Sequence, residues 1–232
     1  DAGATGLNYA LISPGDYCQA NPQVATSCFR RGGTSASSHT VSFPYNTAAN
    51  TNVYDVASGR TNETAGTQNG ATYGMGWHRS TRTIFTGAVL KRHTALGPSG
   101  SGAIYRTTQG GSTDAALFID LSTIGTANDA GGVIGARGAT APSSADWAHD
   151  GNVYDDITEQ ALGDIDVSED DSKVYAWGLN NKRLYTIPVN AGTNPPTANT
   201  AGVTSAAMPQ PGSCLAANTR PFAVTANNGL AY

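Results

Sequence analysis

The stretch of residues 163–188 constrains the fold of this chain most, because short apolar segments of period two alternate there with polar turns. Such alternation is typical of antiparallel strands, and two strands joined by a short polar turn form a hairpin. The predicted strands cover residues 165–167, 174–177 and 184–187, and the predicted turns cover residues 168–172 and 180–183. This stretch therefore predicts a three-stranded antiparallel unit.

The same strand-turn-strand pattern returns elsewhere in the chain. Trp77 and Phe85 lie eight positions apart around a polar turn, as Val167 and Tyr175 do, and residues 222–232 repeat the pattern in shorter form. Repeats of this kind favour a β-propeller, whose blades are small antiparallel sheets. Further strands are predicted at residues 40–44, 52–56, 74–77, 83–90, 103–107 and 116–121, and a turn is predicted at residues 97–100.

At these residues the chain also resembles a family. The phrases YGMGWHRSTRTIFTGAVLKRHTALGPSGSGAIY, LGDIDVSEDDSKVYAWGLNNKRLYTIPV and TRPFAV resemble the β-propeller region of large secreted bacterial surface proteins, which often carry SdrD B-like or immunoglobulin-like modules. Residues 1–70 match more loosely, through YCQANPQVATSC. The resemblance implies an architecture and a location at the bacterial cell surface, and it brings no catalytic residues with it.

Composition favours one extracellular all-β domain. Charged residues make up 13% of the chain, about half the usual quarter, and Gly, Ser, Thr and Asn take their place. A net charge of −4 gives no electrostatic footprint for nucleic acid. No apolar run is long enough to span a bilayer.

The chain divides into two predicted parts. Residues 1–40 read as a loop-rich entry segment, and residues 41–232 read as propeller blades with a long Gly/Ala/Ser/Asp-rich insertion at about 122–160. At roughly 40 to 50 residues per blade, this part supplies only about half of a closed ring. We therefore expect an incomplete ring, with the chain either a piece of a longer protein or completed by another chain.

The three cysteines bear on the cellular compartment. Cys18 and Cys28 lie ten positions apart in a loop-like stretch, which favours a local disulfide over two free buried thiols. A zinc site is less favoured, because no second Cys or His pair stands nearby at ligand spacing. Cys214 is then expected to pair outside this sequence, in another subunit or further along the same polypeptide.

An acidic group within residues 164–171 is the candidate metal site. Asp164 and Asp166 share one face of a predicted strand, and Glu169, Asp170 and Asp171 follow in its turn. Ca²⁺ takes six to eight oxygen ligands, but strand and turn acids of this kind point apart. Solvated acids are the favoured interpretation, and calcium bound by Asp164 and Asp166 is the alternative.

A second group is rich in aromatic residues and belongs to the insertion. Trp147, His149, Asp150 and Tyr154 combine rings that stack on sugars with groups that bond to hydroxyls, so they are candidate glycan-binding residues. The favoured alternative is that Trp147 and Tyr154 anchor the insertion on the sheets. His93 follows a predicted strand and is a further candidate binding residue, although a lone hydrogen-bonded histidine is the commoner case.

Two motifs carry less weight. The serines of residues 97–102 lack the strand-to-helix elbow of a nucleophile motif. Asn62-Glu63-Thr64 is a formal N-glycosylation sequon, which a bacterial source would leave bare.

Taken together, these features favour a non-enzymatic binding or structural module at the cell surface that needs no cofactor. Its expected partners are a glycan, another protein or a second copy of itself. One alternative is a calcium-dependent propeller enzyme of the lactonase or lyase type, using Asp150, Asn152, Asp164 and Asp166. Another is a filament or sheath subunit that pairs at the edge near Tyr232.

Overall fold

A computed structural model describes residues 21–31, 38–47, 59–110, 114–124, 150–151 and 153–232, and these are nearly all in β-strands, turns and loops. The strands are β1 (Gln23–Ser27), β2 (Ser38–Pro44), β3 (Thr61–Ala65), β4 (Thr72–His78), β5 (Thr83–Ala88), β6 (Ala103–Thr108), β7 (Ala116–Asp120), β8 (Leu162–Val167), β9 (Lys173–Gly178), β10 (Arg183–Pro188), β11 (Thr204–Ala207), β12 (Ala226–Asn227) and β13 (Leu230–Ala231). The helical segments are α1 (Gly66–Asn69) and the 3-10 turns Leu121–Thr123, Tyr154–Asp156, Thr200–Gly202 and Ala216–Asn218.

The strands form antiparallel sheets in which sequence neighbours are also spatial neighbours. The N-terminal sheet contains β1 to β3, sheet A contains β4 to β7 in that order, and sheet B contains β8 to β11 in that order. The strands β12 and β13 form a separate hairpin. The described sheets form no closed barrel or ring. The predicted fold class is confirmed: the protein is all-β, with propeller-like antiparallel blades in an incomplete arrangement.

The first strands of the two four-stranded sheets lie against each other because glycines face the contact. A Cβ atom added to Gly74 would lie 2.5 Å from the backbone nitrogen of Ile165. One added to Gly76 would lie 2.7 Å from Cγ2 of Val167. Any side chain at these positions would push β4 away from β8, so the glycines set the spacing between sheets A and B.

The main core fills the space between sheets A and B. Phe85 and Ile104 of sheet A and Ile165, Tyr185 and Ile187 of sheet B are all almost fully buried. Each such side chain contributes roughly 1.5 to 3 kcal/mol through burial. A second cluster joins the end of sheet A to residues 153–161. Its buried members are Ala88, Leu90, Leu96, Ala103, Tyr105, Val153 and Ala161.

The strands with clear apolar alternation were predicted to within a few residues of their observed bounds. The predicted turn at residues 97–100 is confirmed: the Gly100 N–H donates to the Gly97 carbonyl oxygen, 3.0 Å away. Strands β1, β3 and β11 were missed, because their sequences QVATS, TNETA and TSAA lack that alternation. The strand β1 lies within the segment predicted to be loop-rich. The strand predicted at residues 52–56 lies outside the described residues.

Candidate functional site

Two of the predicted binding residues, His93 and Asp150, meet in the structure. The backbone N–H of His93 donates to Oδ2 of Asp150, 2.8 Å away, and the His93 Nδ1 atom lies 3.7 Å from the same oxygen. Asp150 is only 1% exposed. His93 adopts a positive φ of 61°, in a turn closed by the Thr94 N–H and the Lys91 carbonyl. A buried carboxylate therefore holds a strained turn between two loops.

A third predicted binding residue, Tyr154, lies beside this pair. Its backbone N–H donates to the Asp150 carbonyl oxygen, 2.9 Å away, and 57% of the residue is exposed. A half-exposed aromatic ring has an apolar face that can stack on a sugar, and a hydroxyl that can hydrogen-bond. The other predicted binding residues, Trp147 and His149, lie outside the described residues, as does Asn152.

The candidate metal ligands Asp164 and Asp166 both contact the segment that leads into β12. The Ala226 N–H donates to Oδ2 of Asp166 over 2.8 Å, and the Val224 N–H donates more weakly to Oδ2 of Asp164 over 3.5 Å. The Asp164 N–H also donates to the Phe222 carbonyl oxygen, 2.6 Å away. These carboxylates thus join sheet B to the following hairpin.

Burial raises the pKa of Asp164 above its ordinary value of 3.8, and the charge of Asp166 raises it further. The backbone N–H groups of Val224 and Ile165 oppose the shift without cancelling it. A raised pKa means that the ionised form of Asp164 is disfavoured at this position.

Asp170 and Asp171 of the β8–β9 turn accept hydrogen bonds from two different turns. Oδ1 of Asp171 accepts the Arg79 N–H over 2.9 Å, and Oδ2 accepts the Ser80 N–H over 2.7 Å, so this carboxylate caps the first turn of sheet A. Asp170 caps its own turn, accepting from the hydroxyls of Ser168 and Ser172, each 2.7 Å away.

The pKa values of both turn acids fall below 3.8. The hydroxyls of Ser168 and Ser172, helped by the Ser172 N–H, lower the pKa of the fully exposed Asp170 to about 2. Burial pushes the pKa of Asp171 upward, but the bonds from Ser80 and Arg79 outweigh burial and leave the pKa lowered. Both carboxylates are therefore bound in their ionised form.

No group of three or more His, Cys, Asp or Glu side chains suited to a metal ion occurs in the part of the chain that the structure describes. The described histidines lie within hydrogen-bond distance of other residues. The Nδ1–H of His39 donates to the Gly70 carbonyl oxygen over 2.8 Å, and Nδ1 of His78 lies 2.7 Å from the Thr81 hydroxyl. Calcium at Asp164 and Asp166 remains a prediction.

One buried carboxylate was not singled out from the sequence. Glu63 in β3 is fully buried, and its Oε1 accepts from the Ser42 hydroxyl over 2.5 Å. Its Oε2 accepts from the Gly110 N–H over 2.9 Å, which ties the N-terminal sheet to the end of sheet A. Since the partners of Glu63 lie 21 and 47 positions away in the sequence, no local sequence pattern predicts these hydrogen bonds.

The predicted disulfide between Cys18 and Cys28 is not supported. Cys28 and Cys214 are free thiols in the structure, and Cys18 lies outside the described residues. Burial raises the pKa of the Cys28 thiol. Cys214 is exposed and lines a shallow depression with Leu215, Asn218, Thr219 and Arg220. Among the described residues, no helix is both long and apolar enough to cross a membrane.

Comparison with known proteins places similar sequences in a eukaryote. The chain is 29% identical to Colossin-D of Dictyostelium discoideum over 190 residues, which cover 79% of this chain and 19% of the relative. It is 26% identical to Colossin-B of the same organism over 200 residues, covering 84% of this chain and 5% of that relative. The chain thus spans only a small part of either curated relative.

The expected kinship with bacterial surface proteins is wrong. The relatives are eukaryotic, and nothing among them points to bacterial proteins with SdrD B-like modules. Short alternating strands joined by polar turns are a general feature of antiparallel sheets, so phrases of this kind could not identify a lineage. No family model matches the chain, and no solved structure matches it.

Proposed function

We propose that this chain is a non-enzymatic structural module of a large extracellular protein, whose sheets display loops for binding. One observation carries the proposal. The carboxylates that a calcium-dependent enzyme would use accept backbone N–H groups from distant parts of the chain: Asp150 from His93, and Asp164 and Asp166 from residues 224–226. Their geometry serves the assembly of the sheets.

The match to much longer relatives supports a module. Most of this chain aligns with 19% of one colossin and 5% of another, as expected for one unit of a long polypeptide. The low charged fraction of 13%, in a surface of Ser, Thr, Asn and Gly, supports an extracellular setting.

Thermal unfolding in the presence of Ca²⁺ and of a chelator tests the proposal. We expect the same melting temperature in both, because the Asp164 and Asp166 carboxylates already have protein partners. A ligand that binds only the folded state raises stability by mass action. A calcium-dependent rise that Asp166→Asn abolishes would instead favour the calcium-dependent enzyme.

Sedimentation of the same preparation separates a module from a filament subunit. A module remains one species as its concentration rises, whereas a subunit that pairs through the edge near Tyr232 grows in mass. Fractionation of cells of the source organism tests location, and recovery of the protein from the cytosol would contradict an extracellular role.

The surface around Tyr154 is the proposed binding site, and a glycan is the favoured ligand. Its ring is exposed, while Asp150 fixes the backbone of both Tyr154 and His93. A rigid backbone under an exposed ring keeps the entropy cost of binding small.

A further inference from the structure

The triplet Asn62-Glu63-Thr64 is the only Asn-X-Ser/Thr sequon in the chain. It lies on β3, the last strand of the N-terminal sheet, where Asn62 pairs with Val41 of β2. Asn62 is exposed to solvent, whereas Glu63 and Thr64 are buried. The acceptor side chain thus lies outside while the rest of the triplet is held in the fold.

The Thr64 hydroxyl points to a role outside the folded state. Thr64 is 4% exposed, and its Oγ1 atom has no hydrogen-bond partner among the described residues. A buried hydroxyl without a partner costs free energy, and valine has nearly the same shape without that cost. A hydroxyl two residues after Asn is what an oligosaccharide transferase requires of its acceptor before the chain folds.

We propose that Asn62 carries an N-linked glycan, an inference that rests on the proposed extracellular function. The relatives of the chain come from a eukaryote, and this supports a cell that modifies such sequons. The donor is a lipid-diphosphate-linked oligosaccharide. The Asn62 amide nitrogen bonds to the anomeric carbon, the bond from that carbon to the diphosphate oxygen breaks, the lipid diphosphate leaves, and the amide proton passes to a base of the transferase.

The position gives the glycan a structural consequence. Glu63 anchors β3 through Ser42 and Gly110, so a sugar on the outward-facing Asn62 leaves the inward contacts intact. The strand ends its sheet, and sheet A covers part of its outer edge, where the Thr107 hydroxyl donates to the Glu63 carbonyl oxygen over 3.3 Å. A bulky hydrated glycan at the exposed Asn62 therefore shields the part of β3 that faces solvent.

Mass spectrometry of the natively isolated protein tests the inference. Trypsin releases residues 61–79, which contain the sequon. We expect this peptide to carry a sugar mass, and peptide:N-glycosidase in ¹⁸O-water to convert Asn62 to aspartate with the heavy label. The unmodified peptide from protein recovered outside the cell would overturn the glycan alone. Protein found in the cytosol would overturn the extracellular function as well.

Variants secreted from Dictyostelium discoideum cells separate the sequon from the fold. Asn62→Gln and Thr64→Val should lose the sugar completely, whereas Thr64→Ser and the control Asn227→Gln should keep it. Thr64→Val should also unfold no earlier than enzymatically deglycosylated wild type, since the buried hydroxyl has no described partner. Sugar retained on Thr64→Val, or a sharply lower melting temperature for it, would contradict the argument.

Discussion

Strand β8 takes part in two junctions, and they differ in chemistry. Against β4 the contact is made by Gly74 and Gly76, which let the backbones approach closely. Against residues 222–226 it is made by the carboxylates of Asp164 and Asp166 together with a backbone hydrogen bond from the Asp164 N–H. The first contact depends on the shape of the two backbones, whereas the second also depends on hydrogen bonds to ionisable side chains. Neighbouring blades can therefore be joined in ways that respond to different changes.

The largest expected loss of stability follows from disrupting the contact that Gly74 and Gly76 make with β8. Gly74→Val would place a branched side chain where even a Cβ lies 2.5 Å from the Ile165 nitrogen. Overpacking of this kind costs about 3 kcal/mol. Urea unfolding should show that loss. Gly212→Ala is the control, because a Cβ there meets nothing within 4 Å, and an equal loss in both variants would refute the close-contact argument.

A smaller loss of stability is expected when the cap on the first turn of sheet A, which Asp171 of sheet B provides, is weakened. Asp171→Asn keeps one acceptor oxygen but loses the charge and one of the bonds from Arg79 and Ser80. Because the lost hydrogen bond is charge-assisted but partly exposed, we expect the free energy of unfolding to fall by about 1 to 2 kcal/mol. Chemical denaturation measures it, with the exposed Glu169→Gln in the same turn as control. A stable Asp171→Asn variant would show that the cap is dispensable.

Acid titration should distinguish carboxylates with opposite shifts. The pKa values of Asp170 and Asp171 are lowered in the folded state. Their carboxylates therefore stabilise the fold fully above pH 3.8, and this stabilisation is lost as the pH falls through their folded-state pKa values, about 2 in the case of Asp170. The pKa of Asp164 is raised, so its protonation favours the folded state as pH falls towards 3.8. Asp171→Asn should flatten the acid dependence of unfolding, and Asp164→Asn should steepen it. The reverse order would contradict these shifts.

The smallest effect on stability is expected at Tyr154. Tyr154→Ala removes an exposed ring, so unfolding should change by less than about 0.5 kcal/mol, while binding on a glycan array should fall at least tenfold. Tyr45→Ala, at another exposed tyrosine, is the matched control. Unchanged glycan binding in Tyr154→Ala would remove this surface from the proposal.

The sequence predicts the parts of this fold that have local signals. Val167 and Tyr175 mark a hairpin because apolar residues alternate around a turn. The residues TNETA give no such signal, since β3 is held by pairing with β2 and by hydrogen bonds of Glu63 to distant partners.

The candidate site was predictable only in part. The sequence places Asp164 and Asp166 on one face of a strand but does not show which groups face them. His93 and Asp150 were each singled out, yet their meeting across 57 positions depends on the folded chain. The proposed calcium and glycan roles of these residues are still predictions.

The cap donated by Asp171 also orders events during synthesis. The two carboxylate oxygens of Asp171 accept hydrogen bonds from the backbone N–H groups of Ser80 and Arg79, which lie 91 and 92 positions earlier in the chain. During translation these N–H groups therefore lack this partner until residue 171 has been synthesised. Sheet B in turn waits for residues 224–226 to reach Asp164 and Asp166. In both cases hydrogen-bonding groups of one sheet are satisfied only by residues that the ribosome adds later, so a chain cut short before residue 224 would lack both sets of partners at Asp164 and Asp166.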